Sequence, residues 1–135
     1  MIAIKQSVFD QIVAHAHDEL PNEACGYLAG KEGMITHSYQ LTNIDHSPEH
    51  FSFDPAEQFQ TVRDARSKGL QILANYHSHP ATPARPSVED IRLAYDPEIS
   101  YLIISLANNQ VDVKSFKIKD SIVEKEEIVI QPDRS

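Results

Sequence analysis

Cysteine is almost absent: Cys25, the one copy among 135 residues, has no partner for an internal disulfide and cannot build a four-cysteine zinc site. Any metal must be held by histidine and carboxylate. Basic side chains are also scarce, with 12 Lys and Arg against 20 Asp and Glu and a formal charge of −8. Such a chain is ill suited to gathering phosphate backbones, which excludes nucleic acid as a general ligand. No apolar run approaches the ~18 residues of a bilayer span, so no membrane association is expected. Met1 to Gln6 lacks the basic lead, long apolar block and cleavage site of a secretory signal, and a cytoplasmic location is expected. Internal repeats and low-complexity linkers are missing too. What remains is 41% apolar and 24% charged, the balance of an ordinary soluble domain with one core.

Phe9, Ile12, Val13 and Ala16 recur at i, i+3, i+4, i+7, with Ser7 and Asp10 as a cap, which predicts a helix over 7–20. Residues 23–29 and 34–41 read as a hairpin around Lys31-Glu32-Gly33, with Glu23 at the start of its first strand. Residues 43–54 should form a loop or short irregular strand. Asp54-Pro55-Ala56-Glu57 combines an N-cap, a proline at the first helical position and the carboxylate of a capping box, opening a helix to about Lys68. A strand is predicted over 70–79, a proline-stiffened loop through Pro80, Pro83 and Pro86, and a short helix from Ser87 to about Tyr95. A buried strand over 100–106, a turn at Asn108-Asn109 and an alternating strand from Val111 follow, with Ile128-Val129-Ile130 as a candidate last strand. Helices and strands in this order indicate a mixed α/β (α+β) fold, one sheet with helices against it.

Tyr76-His77-Ser78-His79-Pro80 carries the most chemistry. Side chains two apart on a strand project to one side, so His77 and His79 can converge. Ser87 and Asp90 follow at fixed offsets, giving H-S-H-x7-S-x2-D. With seven histidines in the chain an H-x-H is unremarkable by itself, and Ser-x-x-Asp is an ordinary capping box; their joint spacing is what points to a site. Two imidazoles and a carboxylate are common zinc ligands, and three protein ligands leave a position for water. Metal-assisted amide hydrolysis also needs a proton carrier, for which Glu23 is the candidate. A zinc nucleobase deaminase needs P-C-x-x-C and cannot be built from one cysteine, and no H-E-x-x-H is present.

These residues match without departure the motif of the JAMM (MPN-plus) metalloproteases, a Glu followed far downstream by H-[ST]-H-x7-S-x2-D, and the chain resembles the short bacterial stand-alone members. P-x-E-x-C-G-x-L-x-G around Glu23 and the Asp54-Pro55 helix start extend the similarity over most of residues 5–115. The resemblance implies a single curved, mostly antiparallel sheet flanked by helices, with a cytidine-deaminase-like architecture, over residues 1–120. Residues 121–135 would then be a C-terminal extension with the candidate last strand and a loose Pro132–Ser135 tail. It implies one zinc per chain on His77, His79 and Asp90, Glu23 as general acid/base, and Ser87 helping to stabilise the tetrahedral intermediate; spacing alone makes Ser87 only a cap. It further implies cleavage after the C-terminal Gly-Gly of a small ubiquitin-like protein. For the short bacterial members that partner is a sulfur carrier. The alternatives are a deubiquitinase-like isopeptidase and a non-catalytic MPN-type scaffold. A Gly-Gly tail is expected to lie extended beside the metal, pairing with an exposed strand edge, with slight side-chain selectivity before the cut.

Other residues invite weaker readings. Cys25 shares strand parity with Glu23, though a lone cysteine is usually a small buried hydrophobe. His15 and His17 are expected on the exposed face of the first helix. His46 and His50 flank Pro48 in a loop that can border a cleft, and Arg85, in the proline-rich loop, is expected to be a solvated charge.

Overall fold

The computed structural model describes residues 1–133. Its strands are β1 (Ile2–Lys5), β2 (Cys25–Lys31), β3 (Met34–Leu41), β4 (Gln71–His79), β5 (Ser100–Ser105), β6 (Asp112–Lys119), β7 (Ile122–Glu126) and β8 (Ile128–Gln131). The helices are α1 (Gln6–Asp18), α2 (Pro55–Ser67) and α3 (Val88–Arg92). All eight strands form one sheet in the order β7-β6-β5-β4-β2-β3-β1-β8. Pairing is antiparallel except between β1 and β3, β1 and β8, and β4 and β5, so the mixed, mostly antiparallel sheet is as expected. No helix among the described residues is long and apolar enough to cross a membrane.

The two edge strands, β7 and β8, are separated in sequence by Glu127 alone. Consecutive Cα atoms lie about 3.8 Å apart, so the opposite edges meet there and the sheet curls until it is nearly closed. Glu126 fastens this junction: its carboxylate accepts from the hydroxyls of Ser100 on β5 (2.6 Å) and Ser115 on β6 (2.8 Å).

Strand alternation sorts side chains onto two faces. Ala74 and Tyr76 of β4, with Leu102 and Ile104 of β5, bury against α1 through Val8, Ile12 and Ala16. Tyr101 and Ile103 face the other way, packing with Phe116 and Ile118 of β6, and His77 and His79 share that second face.

Gly26 keeps this packing close: a Cβ there would lie 2.3 Å from the Tyr39 carbonyl oxygen and 2.5 Å from the Tyr76 ring. Gly26→Ala is therefore expected to destabilise the fold by about 2–3 kcal/mol through overpacking, measured by urea unfolding; an unchanged midpoint would show that β2 and β4 can separate freely.

Several local expectations give way to long-range contacts. α1 has Lys5 at its N-cap with no side-chain bond, because Ser7 donates to Asp133 from the far end of the chain instead of forming a cap with Asp10. Within the expected loose tail, Asp133 is thus held, while Arg134 and Ser135 lie outside the described residues. The buried stripe of α1 runs through Val8, Ile12, His15 and Ala16, which places His15 inside, not on the exposed face. Asp54 caps α2 as expected, but Glu57 closes no capping box; its carboxylate accepts from the N–H and hydroxyl of Thr42. α3 ends at Arg92, short of Tyr95, where the Tyr101 hydroxyl bonds both the N–H and carbonyl of Asp96. β7 was not expected from the sequence.

Candidate metal centre

β4 lies in the middle of the sheet, with His77 opposite Cys25 of β2 and Ile103 of β5. Two neighbouring ladders therefore fix the backbone that carries His77 and His79. Asp90 arrives from α3, at whose start Ser87 and Asp90 bond reciprocally: Asp90 N–H donates to Ser87 Oγ (3.0 Å), and Ser87 N–H donates to Asp90 Oδ2 (2.9 Å). The proline-rich loop between β4 and α3 returns the chain so that His77 Nε2, His79 Nε2 and Asp90 Oδ2 meet at 3.1 Å from one another.

That triangle tests the donor set. Zinc–nitrogen and zinc–oxygen bonds of about 2.0–2.1 Å put tetrahedral ligands roughly 3.3 Å apart, close to the separation seen. Two neutral imidazole lone pairs and a carboxylate oxygen at this distance repel unless a proton or cation sits between them. His79 Nδ1 lies 2.9 Å from the Pro83 carbonyl; donating there leaves Nε2 free to ligate, as in many zinc sites. The His77 ring stacks on Phe51 with centroids 4.7 Å apart. Among the described residues His77, His79 and Asp90 are the one group placed to hold a metal ion, and they suggest a metal site.

Where a proton rather than a cation fills that gap, the imidazoles donate to Asp90. Burial opposes ionisation of Asp90, but hydrogen bonds from both histidines hold its carboxyl well below the usual carboxylate range. Burial lowers His77, whereas for His79 the bonds to Asp90 and Pro83 outweigh burial and raise it.

Glu23 lies two residues before β2, not at its first position. Ala24 donates its N–H to Ser78 Oγ (2.7 Å) and accepts from Ser78 N–H (3.0 Å), which continues the β2–β4 register and sets Glu23 opposite His79. The residue is 4% exposed, Oε1 is buried with no partner, and burial pushes its carboxyl up to about 8. Ser87 is exposed beside the triad, and its oxygen accepts the Asp90 cap bond while its own proton stays free to donate.

Sequence reasoning missed two supports. Ser78, between the histidines, is the tether that positions Glu23; the motif displayed it without revealing its role. Asn43 is a buried hub, donating to the carbonyls of Glu23 and His50 (3.1 Å each) and accepting from the N–H groups of Asp45 and Ser52. It shapes the loop that lays Phe51 on His77, and only a long segment poor in periodicity hinted at it.

The remaining candidates stay outside the triad. Cys25 is buried with its thiol 3.8 Å from the Leu41 carbonyl and pushed up to about 12 by burial, the behaviour of a small hydrophobe. His15 bonds the Tyr76 hydroxyl at 2.7 Å, and His17 bonds the Val13 carbonyl on the surface. His50 pairs with Asp45 at 3.0 Å, and the His46 N–H bonds the Asn43 carbonyl within the same loop. Arg85 is exposed, as expected.

Comparison with known proteins gives one consistent outcome. The chain is 33% identical to the CysO-cysteine peptidase of Mycobacterium tuberculosis over 131 residues, 95% of this chain and 90% of that one. A solution structure of a Desulfitobacterium hafniense protein superposes with a TM-score of 0.90 at 50% identity, covering 98% of this chain and 94% of that one. A JAB1/MPN domain protein from Archaeoglobus fulgidus, 20% identical with a TM-score of 0.67 over 96% of this chain and 97% of its own, shares the fold. The model for prokaryotic homologs of the JAB domain matches residues 5–119, a span containing the whole triad with Glu23 and Ser87, and the chain belongs to that family.

Proposed function

We propose that the protein is a zinc-dependent metallopeptidase that hydrolyses the bond after the C-terminal Gly-Gly of a small ubiquitin-like sulfur-carrier protein. The observation that carries this reading is the triangle of His77, His79 and Asp90 with a buried carboxylate, Glu23, set opposite His79. The peptidase relative over nearly the full chain supports it.

His77, His79 and Asp90 would hold the zinc, leaving an open position. When bound, the ion supplies Lewis acidity to the scissile carbonyl and acidifies water. Glu23 takes the proton of the attacking water on its carboxylate and returns it to the leaving amine. Its burial favours the protonated state, so it relinquishes that proton readily only while a cation nearby stabilises the carboxylate. Ser87, fixed by the cap, donates a hydrogen bond from its hydroxyl to the oxyanion that forms from the scissile carbonyl.

The direct test incubates the zinc-loaded enzyme with a sulfur carrier extended past Gly-Gly, and with a linked ubiquitin dimer, and weighs the products by mass spectrometry. The expected result is a carrier shortened to its terminal glycine, abolished by a chelator. Cleavage of the dimer alone would favour a deubiquitinase-like isopeptidase, and cleavage of neither with zinc in place a binding scaffold.

A further inference from the structure

Among the described residues, three buried side-chain atoms find no hydrogen-bond partner: Glu23 Oε1, Asn75 Oδ1 and His77 Nδ1. The first belongs to the proton carrier. The other two are neighbours, because Asn75 and His77 stand two apart on β4, project to the same face and border the same cavity of about 530 Å3 beside the triad. Other polar side chains along that wall are engaged elsewhere: Ser52 donates to Asp45, Gln58 to the Tyr27 hydroxyl and Tyr101 to the Asp96 carbonyl, while Glu89 pairs with Arg92. A buried polar atom left unmet is costly unless something pairs with it.

The His77 imidazole is held on two sides and unheld on the third. Phe51 covers its face, and Nε2 is committed to the triad. His79 shows what the third side needs: its Nδ1 lies against the Pro83 carbonyl, and a ligating imidazole depends on such an acceptor to fix the ring and keep the proton off the ligating nitrogen. The two tautomers of His77 say when Asn75 meets that need. With the proton on Nε2, donated to Asp90, Nδ1 is a bare lone pair facing the same space as Asn75 Oδ1, and two acceptors cannot bond. With Nε2 as a ligand, the neutral ring carries its proton on Nδ1, and a donor then faces an acceptor. Residues two apart on a strand lie about 6.6 Å from each other. Oδ1 and Nδ1 each sit two bonds beyond their Cβ, so a turn of the Asn75 amide closes that gap to about 2.9 Å.

We infer that Asn75 is the positioning residue of His77: its side-chain oxygen accepts the Nδ1–H of the ligating imidazole, orienting the ring and keeping its Nε2 lone pair on the metal. The inference rests on the metal site of the peptidase reading and adds to it a residue that is not itself a ligand. Asparagine at this position trades stability of the empty site for metal affinity.

The test compares Asn75→Leu, which keeps the volume and removes the acceptor, with Asn75→Asp, which keeps an acceptor. Leucine should lower zinc affinity about tenfold or more in chelator competition. The Tm of the metal-free protein should stay the same or rise, since an unmet buried acceptor has gone. Aspartate should bind zinc at least as tightly as the parent. Charge alone can produce that gain, so the deciding readout is spectroscopic. In the zinc-loaded parent carrying isotopically labelled histidine, the ring N–H resonances of His77 and His79 should both lie at the low field of hydrogen-bonded protons. In Asn75→Leu the His77 resonance should move upfield while that of His79, held by Pro83, stays; in Asn75→Asp it should return to low field. An unmoved His77 resonance in Asn75→Leu would overturn the inference whatever the zinc affinity, even with an extended carrier still cleaved and the peptidase reading intact. A shifted resonance and weakened zinc binding, with no carrier cleaved by the loaded parent, would support the role of Asn75 and overturn the peptidase reading instead.

Discussion

Glu23→Gln is expected to lower kcat by about three orders of magnitude while the fold and the zinc content stay as they were. The amide keeps the shape of the carboxyl but cannot carry a proton, and the three ligand atoms belong to other residues. Parallel metal analysis and steady-state kinetics check this. Zinc loss in proportion to activity would make Glu23 a ligand, and unchanged turnover would remove it from the mechanism. The same substitution has a signature in the metal-free protein. Burial pushes the Glu23 carboxyl from 4.5 up to about 8, so between those values the folded chain holds a proton that the unfolded chain has released. Stability contributed by the protonated carboxyl is complete below the lower value and is lost as pH rises through the higher one. Glutamine does not ionise, so with chelator present the Tm of Glu23→Gln relative to the parent should climb between pH 5 and pH 9. A difference independent of pH would mean that Glu23 ionises freely in the fold.

Asp90→Ala should reduce zinc affinity by at least about two orders of magnitude and activity to background, since one of three protein ligands disappears and two imidazoles remain. The variant also loses half of the reciprocal cap with Ser87, a separate cost of about 1 kcal/mol to α3. Asp90→Asn separates the two roles. Its side-chain oxygen can still accept from Ser87 N–H, yet it brings no negative charge to the metal. Asn should therefore restore most of the lost stability and little of the zinc, as read by chelator competition and thermal unfolding. Equal zinc affinity in the parent and both variants would place the metal elsewhere.

The ligand set was legible because every part of it is local. His77 and His79 are set by strand parity, and Asp90 by a cap whose geometry follows from Ser-x-x-Asp. The helix signals at Asp54-Pro55 and the turn at Glu32-Gly33, with φ of 52° and 76°, were equally local. What escaped depends on partners remote in sequence. Ser7 turns to Asp133, Glu57 to Thr42 and His15 to Tyr76, and no window around any of them contains the competitor. β7 was hidden differently: Ile-Val-Glu-Lys-Glu is an exposed edge strand with little apolar alternation. Its hairpin turns through Asp120 and Ser121 at φ of 52° and 66° without the glycine that usually marks such a turn. Asn75 carried no signal at all, since an asparagine in a strand announces neither a cavity nor an unmet amide.

The single-residue link at Glu127 also bears on the order in which the molecule assembles. β1 pairs with β3 and β8 alone, and Ile2 meets Ile128 from 126 positions away. Contacts of such sequence separation form slowly, because a long loop must close before they stabilise anything. Until β8 docks, β1 offers an unpaired row of N–H and C=O groups, the template by which partly folded chains pair with one another. The seam between β1 and β8 thus protects the molecule from self-association only once it has closed, and the concentration of chains during refolding governs how many arrive there as monomers.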